Sequence, residues 1–211
     1  MILKHDGITV DFFNKFPKDI RKVLLYLSGG ADSALILYLL SKLNVEIFPL
    51  HGYEVAQPEL DSITAVQSVV DWIRSASPDA IIHNPFIYPM QQGDQTKYYY
   101  LKPARKYFEQ RHGVHHIIFG TSQGMDEDPR PIDHVGSMAG EALSNITWND
   151  ILVPWKSVDK KFIAAQYNKF ELKQLSDITN SCIISTEEPC RECWWCKERY
   201  WAFGSYDGGI Q

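Results

Sequence analysis

Two groups of residues in this 211-residue chain could do chemistry. The first is the run Tyr26-Leu-Ser-Gly-Gly-Ala-Asp-Ser33, where two adjacent glycines and two hydroxyls stand between apolar segments. Gly29 and Gly30 permit positive φ and close backbone approach. Successive N–H groups can then converge on an anion at the amino terminus of a following helix, where the dipole also helps. Ser28 and Ser33 would add hydroxyl donors. The plainer reading is a tight turn in which Ser28 or Asp32 caps the helix. No lysine stands in the turn as the Walker pattern GxxxxGK(S/T) demands, and the dinucleotide pattern GxGxxG is also missing.

The second group is the four cysteines, Cys182, Cys190, Cys193 and Cys196, all near the carboxyl end. Three thiolates at two-residue spacers can turn toward one point, and Cys182 can supply a fourth tetrahedral ligand, which is the donor set of a structural zinc site. Free thiols or two disulfides are the alternatives, and neither explains the clustering in a reducing compartment. A four-thiolate site has no open position, so such a metal folds the tail and leaves the chemistry elsewhere.

These groups need elements to hold them. Val23–Leu27 reads as a buried strand, 31–43 as a helix, 45–50 as a second strand and 58–74 as an amphipathic helix with Pro58 in its first turn. A short strand at 80–82 follows, then a Pro-, Gly- and Gln-rich surface segment over 85–96. The pattern next predicts a helix over 98–110 with Pro103 near its start, a strand over 114–119, a polar loop over 120–136, a strand at 151–153 and a helix over 158–167. Such alternation implies a doubly wound α/β fold with a mainly parallel sheet, which binds ligands at the carboxyl ends of its strands. The glycine turn falls at one of those ends.

Composition sets the bounds. With 45% apolar residues the chain can bury a proper core. A net charge of −5 argues against an extended sequence-independent grip on nucleic acid. No bilayer-length apolar run or signal-peptide pattern is seen, so the expected location is cytoplasmic, without membrane contact.

The string SGGADS, after a strand and before a helix, resembles the PP-loop of the ATP pyrophosphatases, whose pattern is SGGxDS. The resemblance implies an adenine nucleotide alpha hydrolase-like fold, and a turn that holds the pyrophosphate of ATP during attack at the α-phosphorus. Asp32 would then serve magnesium, since a carboxylate repels phosphate. Joined to the cysteine tail, the turn resembles the 7-cyano-7-deazaguanine synthase family. Thr179, Ser181, Cys182, Pro189, Cys190, Cys193, Cys196 and Arg199 match that family's tail, with Arg191 where the family has glycine. Pro154 and Lys160 reproduce its late proline–lysine spacing.

That resemblance implies a PP-loop domain over 1–178 and a zinc knot over 179–211, with ATP, magnesium and zinc as cofactors. Ser28, Asp32, Ser33 and Lys160 would be catalytic. Ser28, Gly29, Gly30, Ala31, Asp32, Ser33, Leu50 and Lys160 would hold the nucleotide, and Cys182, Cys190, Cys193 and Cys196 the zinc. Arg105, Asp126 and Asp133 are candidate contacts to a deazapurine substrate. The implied reaction is ATP-dependent activation of 7-carboxy-7-deazaguanine, with ammonia giving the amide and then the nitrile, in a homodimer.

The middle of the chain departs from the family, with Leu50-His-Gly-Tyr-Glu54 before Glu59 and Pro103-Ala-Arg-Lys106 in place of its usual strings. Transfer of the activated carboxylate to another amine therefore stays open, as do tRNA thiolation and a non-catalytic scaffold role. Free imidazole titrates near neutrality, which makes His51 and His134 candidate proton-transfer groups, but they are read as structural. Trp194, Trp195 and Trp201 are read as cover for the knot, with a dimer surface as the alternative.

Overall fold

A computed structural model of the chain describes residues 1–54, 60–90, 97–125, 151–184 and 188–209. The elements run β1 (Ile2–His5), β2 (Ile8–Asp11), β3 (Lys22–Tyr26), α1 (Ala31–Leu40), β4 (Glu46–Glu54), α2 (Leu60–Ala76), β5 (Ile81–Ile82), β6 (Phe86–Met90) and α3 (Lys97–His112). They continue with β7 (Ile117–Ile118), β8 (Ile151–Leu152), α4 (Lys160–Lys169), α5 (Lys173–Asp177) and α6 (Trp194–Phe203).

The main sheet is parallel in every pairing, in the order β5, β4, β3, β7, β8, with β6 continuing beside β4 beyond β5. The strand β3 is apolar almost throughout because both its faces are covered. Val23 and Leu25, with Leu27 just beyond the strand, join one core with residues of α1, α2 and α4, whereas Leu24 and Tyr26 join another with Ala104 and Phe108 of α3. From β3 the chain crosses first to β4 on one side and later to β7 on the other. This reversal opens a crevice at the carboxyl ends of β3 and β7, the usual ligand position in such sheets.

The doubly wound α/β expectation holds, with three local differences. The first eleven residues form an antiparallel hairpin of β1 and β2. Its turn is Asp6-Gly7, with φ of 46° and 75°, the two positive values that a two-residue type I′ turn requires. The stretch expected to cross the surface over 85–96 contains β6, which pairs with β4 through Pro89. Helix α4 starts later than the pattern indicates, because the Asp159 carboxylate accepts from Phe162 N at 2.8 Å and so caps it.

Candidate nucleotide and metal site

The turn that joins β3 to α1 is built by its own hydroxyls. Gly29 takes φ of 84°, which a side chain would oppose. Ser33 Oγ, 2% exposed as a residue, accepts from Ser28 N at 3.2 Å, lies 3.1 Å from Ser28 Oγ and donates to Gly30 O at 3.2 Å. Ser28 Oγ also accepts from Gly30 N at 3.3 Å. Neither Ser28 nor Asp32 caps α1: Gly30 is the capping residue, with no side-chain bond. The plainer reading of the turn therefore loses its motive.

The neighbouring strands supply the rest. Leu50, fully buried on β4 beside Tyr26, accepts from Leu27 N at 2.8 Å, and His51 Nδ1 donates to Leu27 O at 2.9 Å. At the end of β7, a Cβ placed on Gly120 would lie 2.8 Å from Ser33 N and 3.0 Å from Ser33 Cα. Only glycine lets this strand end approach the first turn of α1. Trp155 Nε1 donates to Asp32 O at 3.1 Å and Tyr167 Oη to Ala31 O at 2.8 Å, which fixes the backbone of that turn from the segment after β8 and from α4. Burial pushes the Tyr167 hydroxyl well above its ordinary value, so it stays a donor.

Lys160, at the start of α4 and nearly buried, places Nζ 2.6 Å from Asp32 Oδ2. Ser122 Oγ donates to the same oxygen at 3.3 Å. Asp32 Oδ1 is buried without a hydrogen-bond partner among the described residues. One carboxylate oxygen is thus anchored and the other is left as a buried acceptor in the first turn of α1. That donor set fits magnesium, which takes one or two carboxylates and completes its shell with water and phosphate oxygens.

The four cysteine sulfurs all lie within 4.8 Å of one another. A tetrahedral zinc ion with Zn–S bonds near 2.3 Å would set them about 3.8 Å apart, and Cys190 and Cys196 Sγ are separated by 3.9 Å. Backbone N–H groups already point at three of the sulfurs: Cys190 N at Cys182 Sγ, Cys193 N at Cys190 Sγ and Cys196 N at Cys193 Sγ, at 3.3 to 3.5 Å. Burial pushes the Cys190 thiol up, but donation from the Cys193 and Glu192 backbone outweighs it and brings the group to about 7. Burial pushes Cys193 and Cys196 up, which a bound cation would reverse by favouring thiolate.

Arg191, in the position where the resembling family has glycine, takes φ of 63°. A left-handed L-residue is strained by roughly 1–2 kcal/mol, whereas the cation–π contact of Arg191 over the Tyr206 ring is worth about 0.5–1 kcal/mol at an exposed position. Arg191→Gly is therefore expected to stabilise the metal-loaded protein by roughly 0.5–1 kcal/mol, raising Tm by about 1–4 °C. Thermal melts of the two proteins side by side check this; a lower Tm for the variant would contradict the strain argument.

The cysteine segment is tied to the turn. Asn180 N donates to Gly29 O at 2.9 Å. Asp207 Oδ2 accepts from Ser181 N at 2.6 Å and Cys182 N at 3.0 Å. Arg199, 1% exposed, donates to Ser176 O, Ser176 Oγ and Thr179 Oγ1 and faces Asp207 at 3.8 Å. Burial pulls its guanidinium down, and Asp207 opposes that. Trp194 is 6% exposed beside Trp195, and Lys161 Nζ lies 4.3 Å from the centre of the Trp201 ring.

Of the residues singled out from sequence, Ser28, Gly29, Gly30, Ala31, Asp32, Ser33, Leu50 and Lys160 converge at this crevice, and Cys182, Cys190, Cys193 and Cys196 converge beside it. Arg105 lies on α3, which packs on the opposite face of the sheet from α1. Asp126, Asp133, His134 and Glu59 fall outside the described residues. Sequence reading overlooked Ser122, Trp155, Asn180, Glu198 and Asp207. Only Gly120 carried a signal, a glycine directly after a predicted strand, which marks close backbone approach.

No described helix is long and apolar enough to cross a membrane. No family model and no curated protein matches the chain. Among solved structures, NMN synthetase from Francisella tularensis aligns over 88% of this chain and 78% of its own, at 11% identity and a TM-score of 0.50. The U34-tRNA thiolase NcsA from Methanococcus maripaludis, with its 4Fe–4S cluster, aligns over 77% of this chain at 14% identity and a TM-score of 0.49. A 4-thiouridine synthetase in complex with RNA and bound ATP aligns over 88% at 18% identity and a TM-score of 0.48. The aligned part spans 62% of the thiolase and 54% of the thiouridine synthetase, less than two thirds of either. What is shared is the fold: this chain has the mainly parallel, doubly wound α/β architecture of the PP-loop, adenine nucleotide alpha hydrolase-like proteins.

Proposed function

We propose that this chain is an AMP-forming enzyme that uses ATP to activate the carboxylate of a 7-deazaguanine base, 7-carboxy-7-deazaguanine, for amide and then nitrile formation with ammonia. The observation that carries the reading is the bond from Asn180 N to Gly29 O. It joins the pyrophosphate-type turn and the four-cysteine tail, the two motifs of the resembling family, into one site.

The chemistry follows from the residues. A substrate carboxylate oxygen attacks the α-phosphorus, the bond from that phosphorus to the β-bridging oxygen breaks, and pyrophosphate leaves. The backbone N–H groups that open α1 and the Lys160 ammonium would stabilise the charge that develops on the leaving group. The hydroxyls of Ser28 and Ser33, bonded to each other and to the turn, hold its shape and would have to release those bonds to donate to phosphate. Magnesium, held by Asp32 Oδ1 and the phosphates, would supply charge neutralisation there. Ammonia then adds to the carbonyl carbon and AMP departs with the original carboxylate oxygen. A second round at the amide oxygen removes that oxygen with AMP and two protons from nitrogen.

Zinc is favoured over an iron–sulfur cluster at the cysteines. Sulfurs that share one ion sit within about 4 Å of each other, whereas thiolates on separate irons of a cubane are held further apart. Gathering all four cysteines of the chain at one point also leaves no thiol to carry a persulfide, which counts against thiolation.

Incubation with 7-carboxy-7-deazaguanine, magnesium-ATP and ammonium, followed by mass spectrometry, tests the proposal. Amide, nitrile and AMP are expected. AMP without amide or nitrile, rising on addition of another amine, would assign a different acceptor. No AMP under either condition sinks the reading.

A further inference from the structure

The turn and the cysteine knot meet at a second place, through side chains. Glu198, on α6 and 1% exposed, places Oε2 3.4 Å from Lys160 Nζ, itself 2.6 Å from Asp32 Oδ2. One ammonium thus lies between a carboxylate on α1 and a carboxylate on α6. We propose that Glu198 is a positioning residue that holds Lys160 at the pyrophosphate turn and makes ATP binding depend on the metal-folded cysteine knot. The inference rests on the nucleotide reading above.

The argument is geometric. Helix α6 starts from the knot: Cys193 is its capping residue, its sulfur accepting from Cys196 N, and Cys196 lies in the first turn. Glu198 follows two residues later, and Arg199, next in sequence, is clamped by Ser176, Thr179 and Asp207. The position of the Glu198 carboxylate is therefore set by the knot on one side and the clamp on the other. A lysine side chain gives up about 2 kcal/mol of rotamer entropy when fixed, and a single carboxylate constrains it less than two on separate helices. A carboxylate this deeply buried also requires a cation near it, so Glu198 and Lys160 keep one another in place. When the metal leaves and α6 loosens, Lys160 retains Asp32 but loses the second anchor.

The experiment is calorimetric titration of magnesium-ATP into native protein, E198Q and E198D. Each is used metal-loaded and after treatment with a soft-donor chelator that leaves magnesium in solution. Loaded E198Q is expected to keep its bound metal and a cooperative melt yet bind ATP about tenfold more weakly than native, with E198D recovering most of the loss. Chelation is expected to weaken native binding about tenfold and E198Q binding by a clearly smaller factor, the part that remains coming from the Asn180–Gly29 bond.

ATP affinity of loaded E198Q equal to native overturns the proposal, as does an equal chelation effect in both proteins. If E198Q gives no cooperative melt, E198D replaces it: a smaller chelation factor than native supports the proposal and an equal one overturns it. Native, loaded protein that binds no ATP overturns the nucleotide reading itself and this proposal with it, an outcome distinct from the others.

Discussion

Lys160→Met is expected to lower AMP release from ATP by about 10²–10³-fold, the loss of roughly 2.7–4 kcal/mol typical of removing one preorganised charge partner of a transition state. Nζ sits 2.6 Å from Asp32 in the first turn of α1, 8% exposed as a side chain. In that surrounding its charge is poorly screened, and methionine copies its length and packing without the charge. A second effect accompanies the first. Breaking a buried pair by removing one partner destabilises by about 3–5 kcal/mol, enough to lower Tm by roughly 6–20 °C in a chain of this size.

The two effects are separated by adding Asp32→Asn. The double variant is expected to regain part of the lost Tm, because Asp32 is no longer a carboxylate without its cation, but none of the activity. Single-turnover assays well below the melting temperature, beside thermal melts of all three variants, make the check. AMP release by Lys160→Met within threefold of native would remove Lys160 from the catalytic set.

Removal of the metal carries the other large effect. Structural zinc in a four-thiolate site contributes roughly 10–16 kcal/mol, as much as the whole stability of a typical domain at about 5–15 kcal/mol. The main core of β3, β4, α1 and α2 is built from Val23, Leu25, Leu27, Leu35, Ile36, Ile47, Val66 and Val70 and does not include the cysteines. Chelation is therefore expected to open the tail while much of the sheet survives.

Thiol titration reads this directly. Native protein should expose none of its four thiols and chelated protein all four, with loss of the near-ultraviolet dichroism of Trp194 and Trp195. Cys190→Ser should behave as the chelated protein and carry less than one metal per chain. Four thiols reacting at denatured-state rates in untreated protein, with no bound metal, would end the metal reading.

Much of the fold was legible because the informative signals were local. An apolar strand, a glycine turn and a helical repeat occupy contiguous residues, and β3, the turn and α1 appear nearly where the pattern puts them. The cysteine knot was legible for the same reason, from spacing within fifteen residues. The hairpin of β1 and β2 carried a local signal too, Asp6-Gly7 between alternating residues, but its short arms resembled a ragged terminus. Strand β6 was masked by Pro89, which argues against a strand unless the residue lies where no ladder donor is needed.

Side chains supplied by tertiary contact were not legible. Ser122 bonds Asp32 across ninety residues of chain, and nothing in Thr-Ser-Gln announces it. Glu198 stands in Lys197-Glu-Arg199, a charged run that normally marks a solvated helix face, yet Glu198 and Arg199 are both 1% exposed. Their burial follows from the direction in which the knot launches α6, which no periodicity records. Arg191 is the converse case: a departure from a glycine pattern that shows in sequence and surfaces in the structure as a positive φ.

The bond from Asn180 to Gly29 also has a meaning in time. Gly29 leaves the ribosome well ahead of Asn180, Glu198 and Asp207, which follow it by roughly 8–36 s of synthesis at the usual 5–20 residues per second. Throughout that interval the nascent sheet can fold around β3 with its glycine turn unlatched and Lys160 lacking its second carboxylate. A chain stalled or cut before its cysteines would keep the core and lack the finished turn, so a segment made later completes one made much earlier.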